Sequence, residues 1–374
     1  MTQSVSTPLS WHQTVFQQWF ERQHSQRAAH AYLLIVPEDT GGEQLVQAMA
    51  ASLLCDAPTS AHHACGQCAA CDLLAAFSHP DYRLLRPSIM NTAHPIEELR
   101  PEKPSKEITI DDIRALDNMV NQTSHRGGQR VVVLYPAHKL NRNAANALLK
   151  TLEEPPAHTV FILLAHDVRQ LLPTIVSRCQ LVNAPAPSAE DALAYLNALK
   201  PNPNWAEYLQ QENGAVMRVA ELIDTDYFTI QNQWIQALSK GSKLDVVATA
   251  AAFEKHIADA NKARLAGEEQ RTVDMLALMT WLQRWLYDVA MVAQNGGAPR
   301  YYPKTQAALR QLTQTHHHGF LLKLHAFTQQ LAQEKRAADH PLNIRSWVEK
   351  LLLQYVALFC RFEQSIGSLR IRSI

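Results

Sequence analysis

The chain has 374 residues, of which 47% are hydrophobic, and these values are typical of a folded protein with two or three domains. Lys plus Arg and Asp plus Glu both total 35, so no net charge is present to hold nucleic acid phosphates, and any DNA contact must be local or shared. Only 12 glycines occur, which argues against several glycine-rich nucleotide loops.

The first residues lack the basic and apolar regions of a signal peptide. No apolar run approaches the roughly 18 residues that a membrane span needs. We therefore expect a cytoplasmic protein with no membrane contact. In that reducing compartment, six cysteines, four of them clustered, indicate metal ligands more than a disulfide framework.

The first predicted elements are an amphipathic helix over residues 11–21 and a core strand, AYLLIV, at 31–36. The stretch PEDTGGEQ follows that strand directly, where a phosphate loop of the type G-x-x-x-x-G-K-[ST] belongs. Such a loop needs glycine amides, a lysine for the phosphates and a hydroxyl for magnesium.

This stretch keeps only Gly42 of that pattern, because Pro37 replaces the first glycine, Glu43 the lysine and Gln44 the hydroxyl residue. Proline removes an amide donor, and a carboxylate repels a triphosphate. We therefore predict a degenerate phosphate loop and no ATP bound by this chain.

Four cysteines follow in the spacing C-x9-C-x2-C-x2-C: Cys55, Cys65, Cys68 and Cys71. Two-residue spacings let neighbouring thiolates face one ion, and four sulfurs close a tetrahedral, structural Zn²⁺ site with no open position for water. Unliganded thiols are a poor alternative because clustered soft donors repel or oxidise without a metal. His62 and His63 lie inside the segment and are competing candidate ligands.

The next elements are a strand at 82–85, an exposed loop over 87–104 and a helix over 110–120. The apolar run 131–134 predicts a central parallel strand that is buried on both faces. An active ATPase would end this strand in two acidic residues that hold magnesium, but Tyr135 and Pro136 stand there.

A helix is predicted over residues 143–154, and an apolar run at 161–164 predicts a further strand. Glu153 and Glu154 lie at the helix C-terminus, where the macrodipole disfavours anions, so stability alone does not explain them. The triplet SRC follows at 177–179. Cys179 and Cys360 are isolated, and we expect Cys360 to be a buried thiol.

The remaining sequence is helical in pattern. A turn-prone stretch near 184–188 marks a boundary, two or three short helices fit 188–225, and long apolar stripes lie at 275–289 and at 347–359 behind the capping Asn343. Three consecutive histidines, His316 to His318, cannot all face one ion, which favours a solvated turn.

NAANALLKTLEEPP followed by SRC closely resembles the AAA+ clamp-loader subunits of bacterial DNA polymerase III. The resemblance is dense in the first half, and HPLNIRSWVEKLLL is its clearest later match. It implies an α/β plus all-α architecture: an AAA+ parallel-sheet domain (1–186) with a zinc-binding insertion (about 55–71), a small helical lid (187–225) and a C-terminal helical collar (226–374). The four cysteines match the family's four, which favours cysteine at every ligand position.

The resemblance implies a non-catalytic, stator-like subunit that has no ATPase activity alone but forms part of the polymerase III holoenzyme. Its implied partners are the gamma/tau ATPase subunits and the clamp-opening delta subunit in a hetero-pentameric ring, the sliding clamp, and primer-template DNA through the complex. An active gamma/tau-type ATPase is the alternative, and Glu43, Tyr135 and Pro136 argue against it. A free zinc-dependent nucleic-acid-binding protein is a third, which the neutral charge disfavours.

The resemblance also assigns individual residues. Arg178, flanked by Ser177 and Cys179, matches an arginine finger that acts in trans on a neighbouring subunit's ATP. Ala165 and His166 stand where polar sensor residues belong. Arg218 matches a second arginine sensor, and we expect a structural role for it because no nucleotide is bound.

Overall fold

The computed structural model describes residues 7–25, 28–91, 100–120, 128–265, 273–314, 319–337 and 343–360. The chain forms two compact units. The first unit is Met1–Tyr195 with Ala215–Met217, and the second is Leu196–Gly214 with Arg218–Ile374. The predicted division into three domains stays a prediction.

A five-stranded, all-parallel sheet forms the centre of the first unit, in the order β2-β3-β4-β1-β5. The strands are β1 Ala31–Ile35, β2 Tyr82–Leu85, β3 Arg130–Leu134, β4 Thr159–Ala165 and β5 Gln180–Asn183. All residues of β3 and β4 are buried, as the unbroken apolar runs predict. The strand predicted as central, β3, is an interior strand, and β4 occupies the middle of the sheet.

Helices cover both faces of this sheet. They are α1 Gln13–Gln23, α2 Gly42–Leu54, α3 Ala69–Ala75, α4 Ile110–Val120, α5 Arg142–Glu153 and α6 Pro173–Val176, and α7 Ala189–Leu199 follows β5. Residues of α1 and α2 pack on the face that carries Tyr32 and Leu34. Residues of α4, α5 and α6 pack on the opposite face with Leu33, because successive side chains of a strand point to opposite sides.

The second unit is helical throughout its described residues. Its helices are α8 Trp205–Gln211, α9 Val216–Glu221 (whose first two residues belong to the first unit), α10 Tyr227–Leu238, α11 Val246–Leu265, α12 Met275–Asn295, α13 Gln306–Thr313, α14 Phe320–Ala337 and α15 Ile344–Ala357. The side chain of Asn343 accepts a hydrogen bond from Ser346 N (3.0 Å) and caps α15 as predicted. Within the described parts of the chain, no helix is long and apolar enough to span a membrane.

The structure contradicts one prediction made from the sequence, and two others fall wholly or partly outside the described residues. Cys360 is exposed, because it lies in the turn after α15 and not on that helix's buried stripe, so the expectation of a buried thiol is wrong. His316 to His318 and residues 92–99 of the predicted loop lie outside the described residues. The described ends of that loop meet, since Ile89 N donates to Ser105 O (3.0 Å).

Candidate functional site

The four cysteines between α2 and α3 converge on one point. Their Sγ atoms all lie within 4.8 Å of one another. Individual separations are 3.5 Å for Cys68–Cys71, 3.8 Å for Cys55–Cys68 and 4.0 Å for Cys65–Cys71. Four sulfurs placed about 2.3 Å from a tetrahedral zinc ion would be about 3.8 Å apart. The sulfur positions therefore fit a four-coordinate metal ion.

Local secondary structure positions these thiols. Cys55 is the C-cap of α2, Cys68 is the N-cap of α3, and Cys71 lies in the first turn of α3. Gly66 takes a left-handed conformation (φ 71°), which lets the chain turn sharply between Cys65 and Cys68. Two helix ends and one tight turn thus bring sulfurs from both sides of the loop to the same place.

Backbone amides and burial set the proton affinities of the thiols. The amide of Gln67 donates to Cys65 Sγ (3.5 Å), and that hydrogen bond lowers the pKa of Cys65 to about 7. Burial raises the pKa of Cys71 to about 12 and also raises the pKa of Cys55. A metal ion must therefore displace protons from the more buried thiols when it binds.

The two competing histidines are engaged elsewhere. The His62 ring stacks on Phe20 of α1 with centroids 4.1 Å apart. The His63 ring nitrogen hydrogen-bonds the Gln13 amide (2.9 Å), and its ring meets Phe16 edge-on. Neither histidine belongs to the cluster of ligand atoms formed by the described residues. They fasten the insertion to α1, and the four cysteines are the group that could hold a metal ion.

The segment after β1 turns into α2 through a left-handed glycine and contacts the N-terminal residues of the chain. Gly41 is left-handed (φ 93°), and α2 begins at Gly42. The Trp11 indole donates to Thr40 O (2.9 Å), and the Thr40 hydroxyl donates to Pro37 O (2.7 Å). A Cβ at Gly41 would lie 2.2 Å from Leu9 Cδ1, so the N-terminal segment packs directly against the loop.

Glu43 replaces the lysine of the phosphate-loop pattern, and it lies near Tyr135, which replaces an acidic residue at the end of β3. Burial, and then the nearby carboxylate of Glu43, raise the pKa of Tyr135 well above its usual range, so the phenol stays protonated. His166 hydrogen-bonds the carbonyl of Val36 (3.0 Å) across neighbouring strands. An acid, a phenol and an imidazole thus stand where an ATPase would present groups to phosphate and magnesium.

Arg178 lies in the turn that joins α6 to β5. One of its guanidinium nitrogens pairs with the Glu153 carboxylate, and the other donates to Thr174 O (2.9 Å). The Arg178 side chain remains 33% exposed. The Ser177 hydroxyl donates to Thr174 O (3.1 Å), and Cys179 packs against the core, where burial raises its pKa to about 12. Of the triplet, only Arg178 presents a charged group at the surface.

Arg218 belongs to a buried ion-pair network in the second unit. It donates to Glu212 (3.2 Å), whose side chain is fully buried and also accepts from Arg284 (2.7 Å). The Tyr227 hydroxyl hydrogen-bonds the same carboxylate (3.3 Å). These contacts support the structural role expected for Arg218. Sequence reasoning missed Glu212 and Arg284, because 72 residues separate them and no local pattern connects them.

Comparison with known proteins finds relatives of the first half of the chain. Residues 11–188 match the family described as "DNA polymerase III, delta subunit". This region is similar to the delta-prime subunits of bacterial DNA polymerase III. The matched region contains the whole sheet, the cysteine cluster, the degenerate loop and Arg178.

Several delta-prime relatives align over the same region. The DNA polymerase III subunit delta' of Pseudomonas aeruginosa is 44% identical over 203 residues, which cover 54% of this chain and 56% of the relative. That of Escherichia coli is 34% identical over 187 residues, covering 50% and 52%. The aligned region thus spans about half the length of these curated relatives.

A crystal structure of a DNA polymerase III gamma subunit-related protein from Thermotoga maritima aligns with 92% of this chain and 98% of its own. The identity is 17% and the TM-score is 0.43.

Proposed function

We propose that this chain is a catalytically silent, stator-like subunit of the bacterial clamp loader, a cytoplasmic complex that loads the sliding clamp onto primed DNA. Its partners are the gamma/tau-type ATPase subunits and the clamp-opening delta subunit in a hetero-pentameric ring. The match of residues 11–188 to the family described as "DNA polymerase III, delta subunit" supports this assignment. The three-part organisation into AAA+ domain, lid and collar belongs to the same proposal.

The observation that carries the silent role is that the carboxylate of Glu43 lies near enough to Tyr135 to raise its pKa. A nucleotide-binding loop needs a cation where Glu43 stands and an acidic magnesium ligand where Tyr135 stands. In this chain a triphosphate would therefore meet a negative charge and a neutral phenol, with no acidic group to hold magnesium. This favours the silent subunit over an active gamma/tau-type ATPase.

Arg178 supplies the proposed contribution to catalysis. The arginine stands in the turn before β5, in a unit whose own phosphate loop has no cation to offer. In a ring, this turn would face the ATP of the neighbouring subunit, and a guanidinium there stabilises the charge that develops on the γ-phosphate. Ser177 and Cys179 shape the turn and do not take part in the reaction.

The cysteine cluster supports a structural Zn²⁺ ion as the cofactor. Cys55, Cys65, Cys68 and Cys71 would fill all four positions of a tetrahedral ion and leave none for a reacting water. The ion would fix the conformation of the insertion between α2 and α3. The histidines of this insertion contact α1. No chemistry of the clamp loader requires it.

Reconstitution tests this proposal. The chain is mixed with the delta and gamma subunits of a delta-prime-containing clamp loader, and the mass of the complex is measured by native mass spectrometry. We expect a pentamer that contains one copy of this chain and loads clamps with ATP. Self-assembly of the chain into an ATP-hydrolysing complex without the other subunits would favour the gamma/tau-type alternative.

A further inference from the structure

One face of α12 carries polar and aromatic side chains that the proposed function does not use. Thr280, Gln283, Arg284 and Tyr287 recur at i, i+3, i+4 and i+7, so they share one stripe of the helix. The buried residues of α12, such as Leu282 and Trp285, lie on another stripe. The first four residues, together with Lys335 and Tyr301, form what we call the α12 face.

Lys335 extends from α14 onto this face. Its ammonium group donates to Thr280 Oγ1 (2.7 Å) and Gln283 Oε1 (3.2 Å), two acceptors that carry no charge. An ammonium has three donors, so two neutral oxygens satisfy only part of its capacity. Lys335 is therefore a half-buried cation that has been positioned by side chains without being neutralised by them.

The electrostatic environment of Lys335 is positive. Burial, followed by the charges of Arg284 and Arg218, lowers the pKa of Lys335, and only Asp274 acts in the opposite direction. Asp274 itself accepts the amide of Ala277 (2.8 Å) as the cap of α12. Like charges in a partly desolvated site disfavour one another, and a bound anion would relieve that repulsion.

Two of the acids in this region are buried, whereas Asp274 is exposed at the start of α12. Glu212 and Asp288 are fully buried. Glu212 holds Arg284, whereas Asp288 accepts the backbone amides of residues 300–302 at 2.7–3.2 Å. Burial of these two carboxylates leaves Lys335, Arg284 and Asp274 as the charges that an approaching ligand meets.

Aromatic rings lie beside these cations. The Tyr301 ring lies near the guanidinium groups of Arg284 and Arg300, at 5.7 and 5.5 Å from its centroid. The Tyr287 ring meets Tyr301 edge-on at 5.6 Å and is 41% exposed. The contact with Tyr301 fixes Tyr287 while leaving part of its ring free to stack on a flat ligand.

We propose that the α12 face binds single-stranded nucleic acid, with a backbone phosphate beside Lys335 and Arg284 and a base stacked on Tyr287. Alternating cations and exposed aromatic rings are the two components of single-strand binding sites, because phosphates need positive charge and unpaired bases stack. Duplex bases are already stacked and cannot use Tyr287. This inference goes beyond the proposed function, in which DNA is reached only through the assembled complex.

Fluorescence anisotropy of a labelled oligothymidylate with the purified full chain tests the proposal over a series of salt concentrations. Lys335→Gln should weaken binding at least about fivefold and lower the slope of log Kd against log salt by about 0.7, as expected for one lost single-strand phosphate contact. Tyr287→Ala should weaken binding about tenfold, while Tyr287→Phe keeps the ring and should bind like the wild type.

Lys243→Gln is the matched control, because it removes the same charge from an exposed position in the same unit and should change neither affinity nor slope. Circular dichroism checks folding, and Lys335→Arg, which retains the charge, should restore binding. Equal affinities of Lys335→Gln, Tyr287→Ala and the control would overturn the proposal. So would competition by inorganic phosphate as effective as that by unlabelled oligonucleotide, or equal affinity for a duplex.

Discussion

The guanidinium of Arg178 pairs with the carboxylate of Glu153, the last residue of α5. A carboxylate at a helix C-terminus is unfavourable with respect to the helix dipole, and this partner offsets that cost. Because an exposed ion pair contributes only about 0–1 kcal/mol, the contact orients the guanidinium more than it stabilises the fold. Glu153 therefore has a positioning role that the sequence pattern alone left unexplained.

Zinc content tests the cysteine cluster. We expect one equivalent of zinc per chain purified without chelator, and loss of that zinc in the double variant Cys65→Ser, Cys68→Ser, because the remaining two sulfurs cannot close the site. Elemental analysis measures the metal. Cys360→Ser, which changes an exposed thiol outside the cluster, should retain full zinc. Full retention in the double variant would contradict the assignment.

Zinc retention should also depend on pH. In the metal-free site the pKa of Cys71 is raised to about 12 and that of Cys65 is lowered to about 7, so protons compete with the metal increasingly as pH falls. We expect zinc affinity to fall throughout acidification and more steeply below about pH 7, where Cys65 also binds a proton. A chromophoric zinc indicator in a pH series measures this. An affinity independent of pH would exclude thiolate ligands.

ATP binding tests the degenerate loop. Calorimetry with magnesium and ATP should show no dissociation constant at or below about 1 µM, which corresponds to roughly −8 kcal/mol. Glu43→Lys alone should not create tight binding, because Pro37, Gln44 and Tyr135 still lack the amide, hydroxyl and acidic groups. Submicromolar binding by the unmodified chain would show that the loop works despite these residues.

The Glu212 network is expected to stabilise the second unit. Glu212→Gln leaves Arg284, whose side chain is 16% exposed, without its carboxylate, and breaking a largely buried pair in this way costs up to about 3–5 kcal/mol. Glu207→Gln is the matched control, because its partner Lys304 is exposed. This variant should lose only about 0–1 kcal/mol of the free energy of unfolding. Urea unfolding measures both. Similar losses of unfolding free energy in the two variants would show that the network contributes no more than an exposed ion pair.

The sequence predicted β1, β3 and β4 well because these strands are almost entirely buried. The apolar runs of β1, β3 and β4 and the stripe of α5 lie within one or two residues of their predicted bounds. The cysteine cluster was equally predictable, since its four thiols lie within a single segment. In these cases the deciding information is local in the chain.

Long-range partnerships were not predictable from the sequence. Arg178 and Glu153 are 25 residues apart, and Lys335 and Thr280 are 55 apart. Tertiary packing alone decides such pairs, because surface side chains have no period that reveals their neighbours. For the same reason the sequence did not reveal the α12 face. Its positive charges are not apparent in a chain whose basic and acidic residues are equal in number.

The steady-state ATPase rate of the reconstituted clamp loader tests the central claim most directly. Arg178→Ala should leave zinc content and assembly intact but lower the DNA-stimulated ATPase and clamp-loading rates. Loss of an arginine finger costs about 10³–10⁵ at the site it serves, and only one of the several ATP sites in the ring depends on this chain. Arg169→Ala is the control, because Arg169 is an exposed arginine paired only locally with Asp167. The account predicts a partial loss with Arg178→Ala and none with Arg169→Ala, whereas wild-type rates in a complex verified to contain the Arg178→Ala chain would contradict it.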